Sequence, residues 1–402
     1  MYKKIILWGI GVNAEYIYNT MLPGAEVIAL VDMNPRKQNK VWKKNLIING
    51  PEIINQITYD YIIVTPQSYS SIENQILLMG INEKKIIYYW KDETAQGVFE
   101  SRSNKLLEER KSKDIYRARL DSAPYEWGLK PVPKIDSAQN LLRVIYEEKK
   151  SLSRFGDGEF EIMRGNERAW FQNTDKMLAQ RLLEIFQNEE ESVAVAAAQN
   201  FVGFDKYNDE SADDIRIYME GKTRDDIVAF FASGKKYYDA YVSRPYIIYS
   251  SPQNAEEIFF LFKKIWHNRN IIVVEGEYGR TGIGNDLFSG TKSIKRIACP
   301  ATNAWMVYDE ILQCVMKHAK KEDLICISLG PTASVLSYDL AVNGFQALDI
   351  GQLDNEYEWY LRKAEGRIPI KGKMVAEVSN HYEKDDDIDI QYLKEVVCKV
   401  GE

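Results

Sequence analysis

The chain has 402 residues, 45% hydrophobic and 28% charged, a globular composition that excludes a disordered or collagen-like polymer. Its 59 acidic residues outnumber 52 Lys and Arg, for a net charge of −7, so nucleic acid is not the expected partner, because phosphate binding leaves a basic footprint. Three histidines argue against a His-rich metal centre, and Cys299, Cys314, Cys326 and Cys398 form no C-x-x-C pair, which excludes zinc ribbons and fits a reducing compartment.

The opening Met1-Tyr2-Lys3-Lys4 followed by Ile5-Ile6-Leu7-Trp8 imitates an export leader, yet it turns polar at Asn13 without a small-residue cleavage site. No apolar run reaches the roughly eighteen residues needed to span a bilayer. The expectation is a cytoplasmic protein with no transmembrane segment, whose first apolar run is a buried strand.

Residues 1–95 read as a small α/β module. Strands are expected at 5–8, 27–31, 61–64 and 86–89, and helices at 14–21 and 71–79, an alternation that implies a parallel sheet. Gly9-Ile10-Gly11-Val12-Asn13-Ala14 follows the first strand and opens the first helix, and Asp32 ends the second strand about twenty residues on. That is the dinucleotide-fold pattern, in which Gly9 and Gly11 let backbone N–H groups approach a pyrophosphate and Asp32 meets a ribose. The module resembles the small Rossmann-like units that accompany sugar-modifying enzymes, and its expected ligand is a nucleotide or nucleotide sugar. Residues 96–135 are rich in Lys, Arg and Glu with few large apolar side chains, and read as a charged helical linker ended by Pro124, Pro131 and Pro133.

Residues 136–402 form the larger domain. A helix at 138–148, strands at 192–197, 271–274, 324–328 and 347–350, and a helix at 333–342 again give an α/β pattern. Arg154-Phe155-Gly156-Asp157-Gly158-Glu159 is its most informative stretch. Carboxylates one residue apart on an extended or turning backbone converge on a hard divalent cation, Mn²⁺ or Mg²⁺, and Arg154 is close enough to neutralise phosphate. Taken alone, a D-x-E is also a common surface turn. Gln172 is expected against the donor side. Glu275 follows four β-branched residues and so ends a strand, where α/β sheets bind ligands. The glycine-rich loop from Arg280 through Asn285 and Asp286 is expected to close over the site. Gly330, Thr332 and Ser334 lie between a strand and a helix, a place suited to cradling a diphosphate. Asp349 ends a strand, and Asp354, Glu356 and Glu358 follow beside Tyr357 and Trp359, the carboxylate-plus-aromatic mixture of a carbohydrate site. Asp349, Asp354 or Glu275 is the expected base toward an acceptor hydroxyl.

Taken in order, the blocks Arg154–Glu159, Val274–Gly276, Arg280–Phe288, Ile297–Pro300, Leu329–Ala333 and Asp349–Trp359 resemble the GT-D fold glycosyltransferases over most of residues 150–375. The resemblance implies a GT-D type α/β domain whose metal motif maps onto Asp157 and Glu159. It also implies transfer of a sugar, glucose in the known type, from a UDP-sugar donor to a glycan or glycoprotein acceptor in bacterial surface-glycan synthesis. It does not reach residues 1–135. A homo-oligomer is compatible with the sequence. A non-catalytic nucleotide- or sugar-binding protein and an NAD-linked sugar-modifying enzyme are the rival readings.

Overall fold

In the first unit, Met1–Asp114, the strands carry the continuous apolar runs Ile5–Trp8, Val27–Val31 and Ile62–Val64, as a parallel sheet covered on both faces requires. The strands are β1 (Lys3–Trp8), β2 (Ala25–Val31), β3 (Ile48–Asn49), β4 (Tyr61–Val64) and β5 (Ile86–Tyr88), all parallel in the order β3-β2-β1-β4-β5. Along β1 the side chains alternate: Ile6 and Trp8 pack with Val31, Ile62 and Val64, whereas Ile5 and Leu7 pack with Ala14, Ile17 and Leu30 on the other face. The helices Val12–Thr20 and Ser70–Leu78 are the expected crossovers. Only the two-residue β3 escapes the sequence pattern, being too short to show a period.

The computed structural model describes residues 3–20, 25–43, 46–66, 69–89, 111–166, 171–251, 253–375, 378 and 384–401. Trp170 and residues 96–110 of the expected linker lie outside them.

The second unit, Ile115–Glu402, begins inside that expected linker. Residues 111–126 are helical. Ala118 and Ser122, one turn apart, are fully buried, and the charges are paired: Arg119 with Asp213 at 2.7 Å and Glu126 with Arg216 at 2.9 Å. The reading as a solvated connector fails here because ion pairs tie this helix to the helix Asp209–Tyr218, and its fully buried positions are small side chains that leave no apolar signal in the sequence.

Nine parallel strands follow: β6 (Ile135–Asp136), β7 (Ser151–Phe155), β8 (Val193–Ala197), β9 (Tyr237–Asp239), β10 (Asn270–Gly276), β11 (Ser293–Cys299), β12 (Leu324–Ser328), β13 (Gln346–Asp349) and β14 (Val396–Lys399). Their order is β14-β11-β10-β12-β13-β7-β8-β9-β6. Helices cover both faces, so β8 (Val-Ala-Val-Ala-Ala) is buried from end to end. Because every pairing is parallel, the carboxyl ends of all nine strands share one edge. Cys398 of β14 stands beside Cys314 of the helix Tyr308–His318, while Cys299 and Cys326 are free and buried. Among the described residues no helix is long and apolar enough to cross a membrane.

Candidate active site

β7 delivers Arg154 to the carboxyl edge and is followed by Gly156, the N-cap of a seven-residue helix, Asp157–Met163. The acidic pair therefore sits in a first helical turn, not on the extended or turning backbone expected. Residues i and i+2 of a helix point to different sides. Glu159 is drawn back to the helix start because its Oε2 accepts the Gly156 N–H at 2.7 Å. Asp157 is exposed and makes no hydrogen bond or ion pair among the described residues.

The next strand, β13, brings Asp349 to the same edge. Its carboxylate is 2% exposed. The Arg154 guanidinium donates to Asp349 twice, Nη2 to Oδ1 at 2.9 Å and Nε to the backbone carbonyl at 3.0 Å. The Gly351 N–H adds a third bond at 3.1 Å. Gly351 has φ +46°, and a Cβ there would stand 2.7 Å from the Arg154 Cζ, so only glycine lets the guanidinium lie across the turn. Ser334, from the helix Pro331–Val342, donates to the Arg154 carbonyl at 2.6 Å and faces Asp349 Oδ2 at 3.5 Å.

Three carboxylates thus share this corner with one guanidinium. Burial, followed by the charge of Asp349, pushes the Glu159 carboxyl up to about 7; the Gly156 N–H and Arg154 oppose the rise, and Asp157 adds to it. Burial also raises Asp349, against Arg154. Surplus negative charge next to the unpartnered oxygens of Asp157 is chemistry that fits a hard divalent cation. The three carboxylates do not close into a three-ligand cage. Asp157 and Glu159 would be two protein ligands, with the remaining positions left to water and phosphate.

Most of the other expected site residues are already held by protein partners. Glu275 does end β10, but it is fully buried: Oε1 pairs with Arg296 at 2.6 Å and Oε2 accepts the Thr281 N–H at 2.7 Å. It folds the glycine-rich loop and has no oxygen open to an acceptor. Arg280 is buried with its guanidinium 3.6 Å from the centre of the Tyr392 ring. Asp354 accepts the Gly282 N–H at 2.9 Å and pairs with Lys373 at 2.6 Å, and Asn285 bridges Asp354 and Glu358 at 2.8 Å each. Glu356 holds the N–H groups of Tyr246 and Ile247. Asp286 is exposed and held by Lys263 and the Tyr357 hydroxyl. These blocks form a buried polar frame rather than a lining of free groups. Gln172 is also buried, with Oε1 accepting from Thr332 at 3.3 Å. Phe171 covers Gly330 so closely that a Cβ there would meet Cδ1 at 2.8 Å. The Thr332 and Ser334 hydroxyls therefore point inward, and neither is left to hold a diphosphate.

In the first unit Gly9, at φ +96°, makes the sharp turn after β1, and Gly11 is exposed. Asp32 faces inward, however. Its Oδ2 accepts the Ile10 N–H at 2.8 Å and Lys37 Nζ at 3.0 Å, and its Oδ1 accepts the Asn34 N–H at 2.9 Å. Both oxygens the sequence reserved for a ribose already brace the glycine loop.

Residues missed by sequence reasoning stand at the ends of β8 and β9. The Tyr241 hydroxyl donates to Asn200 Oδ1 at 2.6 Å, and burial, with Asp157 the foremost charge, raises its pKa. Asp239 is buried and ends β9, as Asp349 ends β13. An acidic residue closing a short aromatic strand was the available signal.

The family model described as "Glycosyltransferase GT-D fold" matches residues 152–378, and one described as "C2185-like, N-terminal" matches residues 1–87. The chain is 34% identical over 269 residues to the probable glycosyl transferase Gly of Streptococcus gordonii and 33% identical over 270 residues to the glycosyltransferase GlyD of Streptococcus pneumoniae serotype 4. Each alignment covers 66% of this chain but only 39% and 32% of those proteins, so the chain spans well under half of either. Among solved structures, one described as domain of unknown function 1792 with a distinct glycosyltransferase fold superposes with a TM-score of 0.62 at 30% identity. That match covers 72% of this chain and 100% of the other. A new glycosyltransferase of the same domain type from Streptococcus sanguinis gives a TM-score of 0.62 at 32% identity, over 67% of this chain and 100% of its own.

Proposed function

The chain belongs to the GT-D fold glycosyltransferase family, and from that premise we propose that it moves a hexose, glucose first among candidates, from a UDP-sugar to a glycan or glycoprotein of the bacterial surface. The observation that carries this reading is the corner of Asp157, Glu159 and Asp349 beside Arg154, at the carboxyl edge of a parallel sheet. Asp157 and Glu159 would hold Mn²⁺ or Mg²⁺, which supplies Lewis-acid charge to the departing nucleoside diphosphate. Arg154 fixes Asp349 and keeps the ends of β7 and β13 together, so that carboxylate is oriented before any ligand arrives.

The test is UDP release from UDP-glucose with and without Mn²⁺, by the wild type and by Asp157→Asn. Metal-dependent release lost in the variant supports the reading. Release that ignores both the metal and the substitution overturns it.

A further inference from the structure

Beside the acidic corner, a cavity of about 230 Å³ opens at the carboxyl ends of β8, β9 and β6. It lies below the roughly 300–1,000 Å³ of pockets that take drug-sized ligands, so it has room for one sugar ring and not for a nucleotide sugar. Its lining mixes hydrogen-bonding groups (Gln199, Asp239 and Asn254) with the rings of Tyr241 and Tyr249.

The charges of this cavity do not suit a diphosphate. Its cation, Lys206, is already hydrogen-bonded to Gln199 and stands 3.9 Å from Asp239. Asp239 itself is buried, with Oδ1 accepting the Tyr241 N–H at 2.9 Å. An anion would meet a carboxylate there and find no spare positive charge. A neutral polyhydroxylated ring meets acceptors, donors and aromatic faces together. The cavity adjoins the acidic corner through the chain itself: Tyr241 lines it, and the carbonyl of the preceding Ala240 accepts from Arg154 Nη1 at 3.5 Å.

We infer that this cavity is the acceptor subsite, holding one pyranose ring against Asp239 and Tyr249, two strands along the sheet from the β7 corner that would hold the donor's metal. The inference rests on the proposed transferase reading and assigns the substrate whose binding that reading leaves open.

The experiment is saturation-transfer NMR on the full chain with methyl glycosides of glucose, galactose and N-acetylglucosamine, each with and without UDP and Mn²⁺. Transfer to the ring protons of at least one glycoside is expected, undiminished by UDP and reduced at least fivefold in Asp239→Asn and in Tyr249→Ala. Metal-dependent UDP affinity in the same variants is expected to stay within twofold of wild type. Glycoside signals that UDP displaces, or UDP affinity that falls tenfold in these variants, would assign the cavity to the donor and overturn the inference. Absence of any glycoside signal in a folded wild type overturns it as well. Glycoside binding is read without turnover, so failure of the metal-dependent donor reaction remains a separate result.

Discussion

The Arg154 guanidinium lies across Gly351, in the space that a side chain at that position would fill. This contact couples the turn after β13 to the strand that carries the acidic motif.

Gly351→Ala is therefore expected to act on both. The positive φ alone costs about 1–2 kcal/mol for a residue with a Cβ, and the guanidinium must move off Asp349 as well. Chemical denaturation should reveal the loss of stability, and the Mn²⁺-dependent release of UDP should fall with it. Wild-type values in both measurements would show that the turn tolerates a side chain.

Asp157→Asn should separate function from folding. The side chain is exposed and unpartnered, so the melting temperature should stay within about 1 °C, the range of a neutral surface change. Divalent-cation affinity and UDP release should drop on the order of a hundredfold. Isothermal titration with Mn²⁺ and UDP checks the first, and a coupled UDP assay the second.

Glu159 makes stability fall as pH rises. Its carboxyl is raised to about 7 in the folded chain and has an ordinary acidic value once unfolded. The folded state thus binds more protons between those values. The contribution is fully present below the unfolded pKa and is lost as pH climbs through 7. In chelator, melting temperatures measured from pH 5 to 8 should decline, and Glu159→Gln should flatten the slope. An unchanged slope in the variant would remove Glu159 as its source.

Glu275→Ala should unfold rather than merely inactivate. It strips the fully buried Arg296 of one of two carboxylate partners, the other being Glu395 at 2.7 Å. Removing one member of a buried ion pair costs about 3–5 kcal/mol, readable as a shifted denaturation midpoint. Loss of turnover at full stability would instead point to a direct part for Glu275 in the reaction.

Much of this was legible in the sequence, for a definable reason. The strands and crossover helices announce themselves through local apolar periodicity, and the alternation fixes a parallel sheet in each unit. Asp157 and Glu159 were found as a D-x-E motif beside glycines, set among the blocks of a family resemblance, and Asp349 because it ends a strand. Partnerships between distant residues left no local trace. Nothing near Glu275 announces Arg296, nothing near Asp354 announces Lys373, and Asp32 in a dinucleotide-type position does not reveal that Lys37 already holds it. Asp239 and Tyr241 were passed over because a three-residue strand is too short to register, although its acidic end is the same cue that singled out Asp349.

An all-parallel sheet also has a kinetic consequence. Antiparallel neighbours can zip together from a tight turn, but here each ladder joins segments brought from far apart, and such contacts form slowly because a long loop must first be closed. The Arg154–Asp349 pair spans 195 residues. A nascent chain cannot make that contact until β13 has left the ribosome, so catalysis reports on completed synthesis and collapse of the larger unit. Refolding monitored by the return of turnover should lag the return of helical circular dichroism.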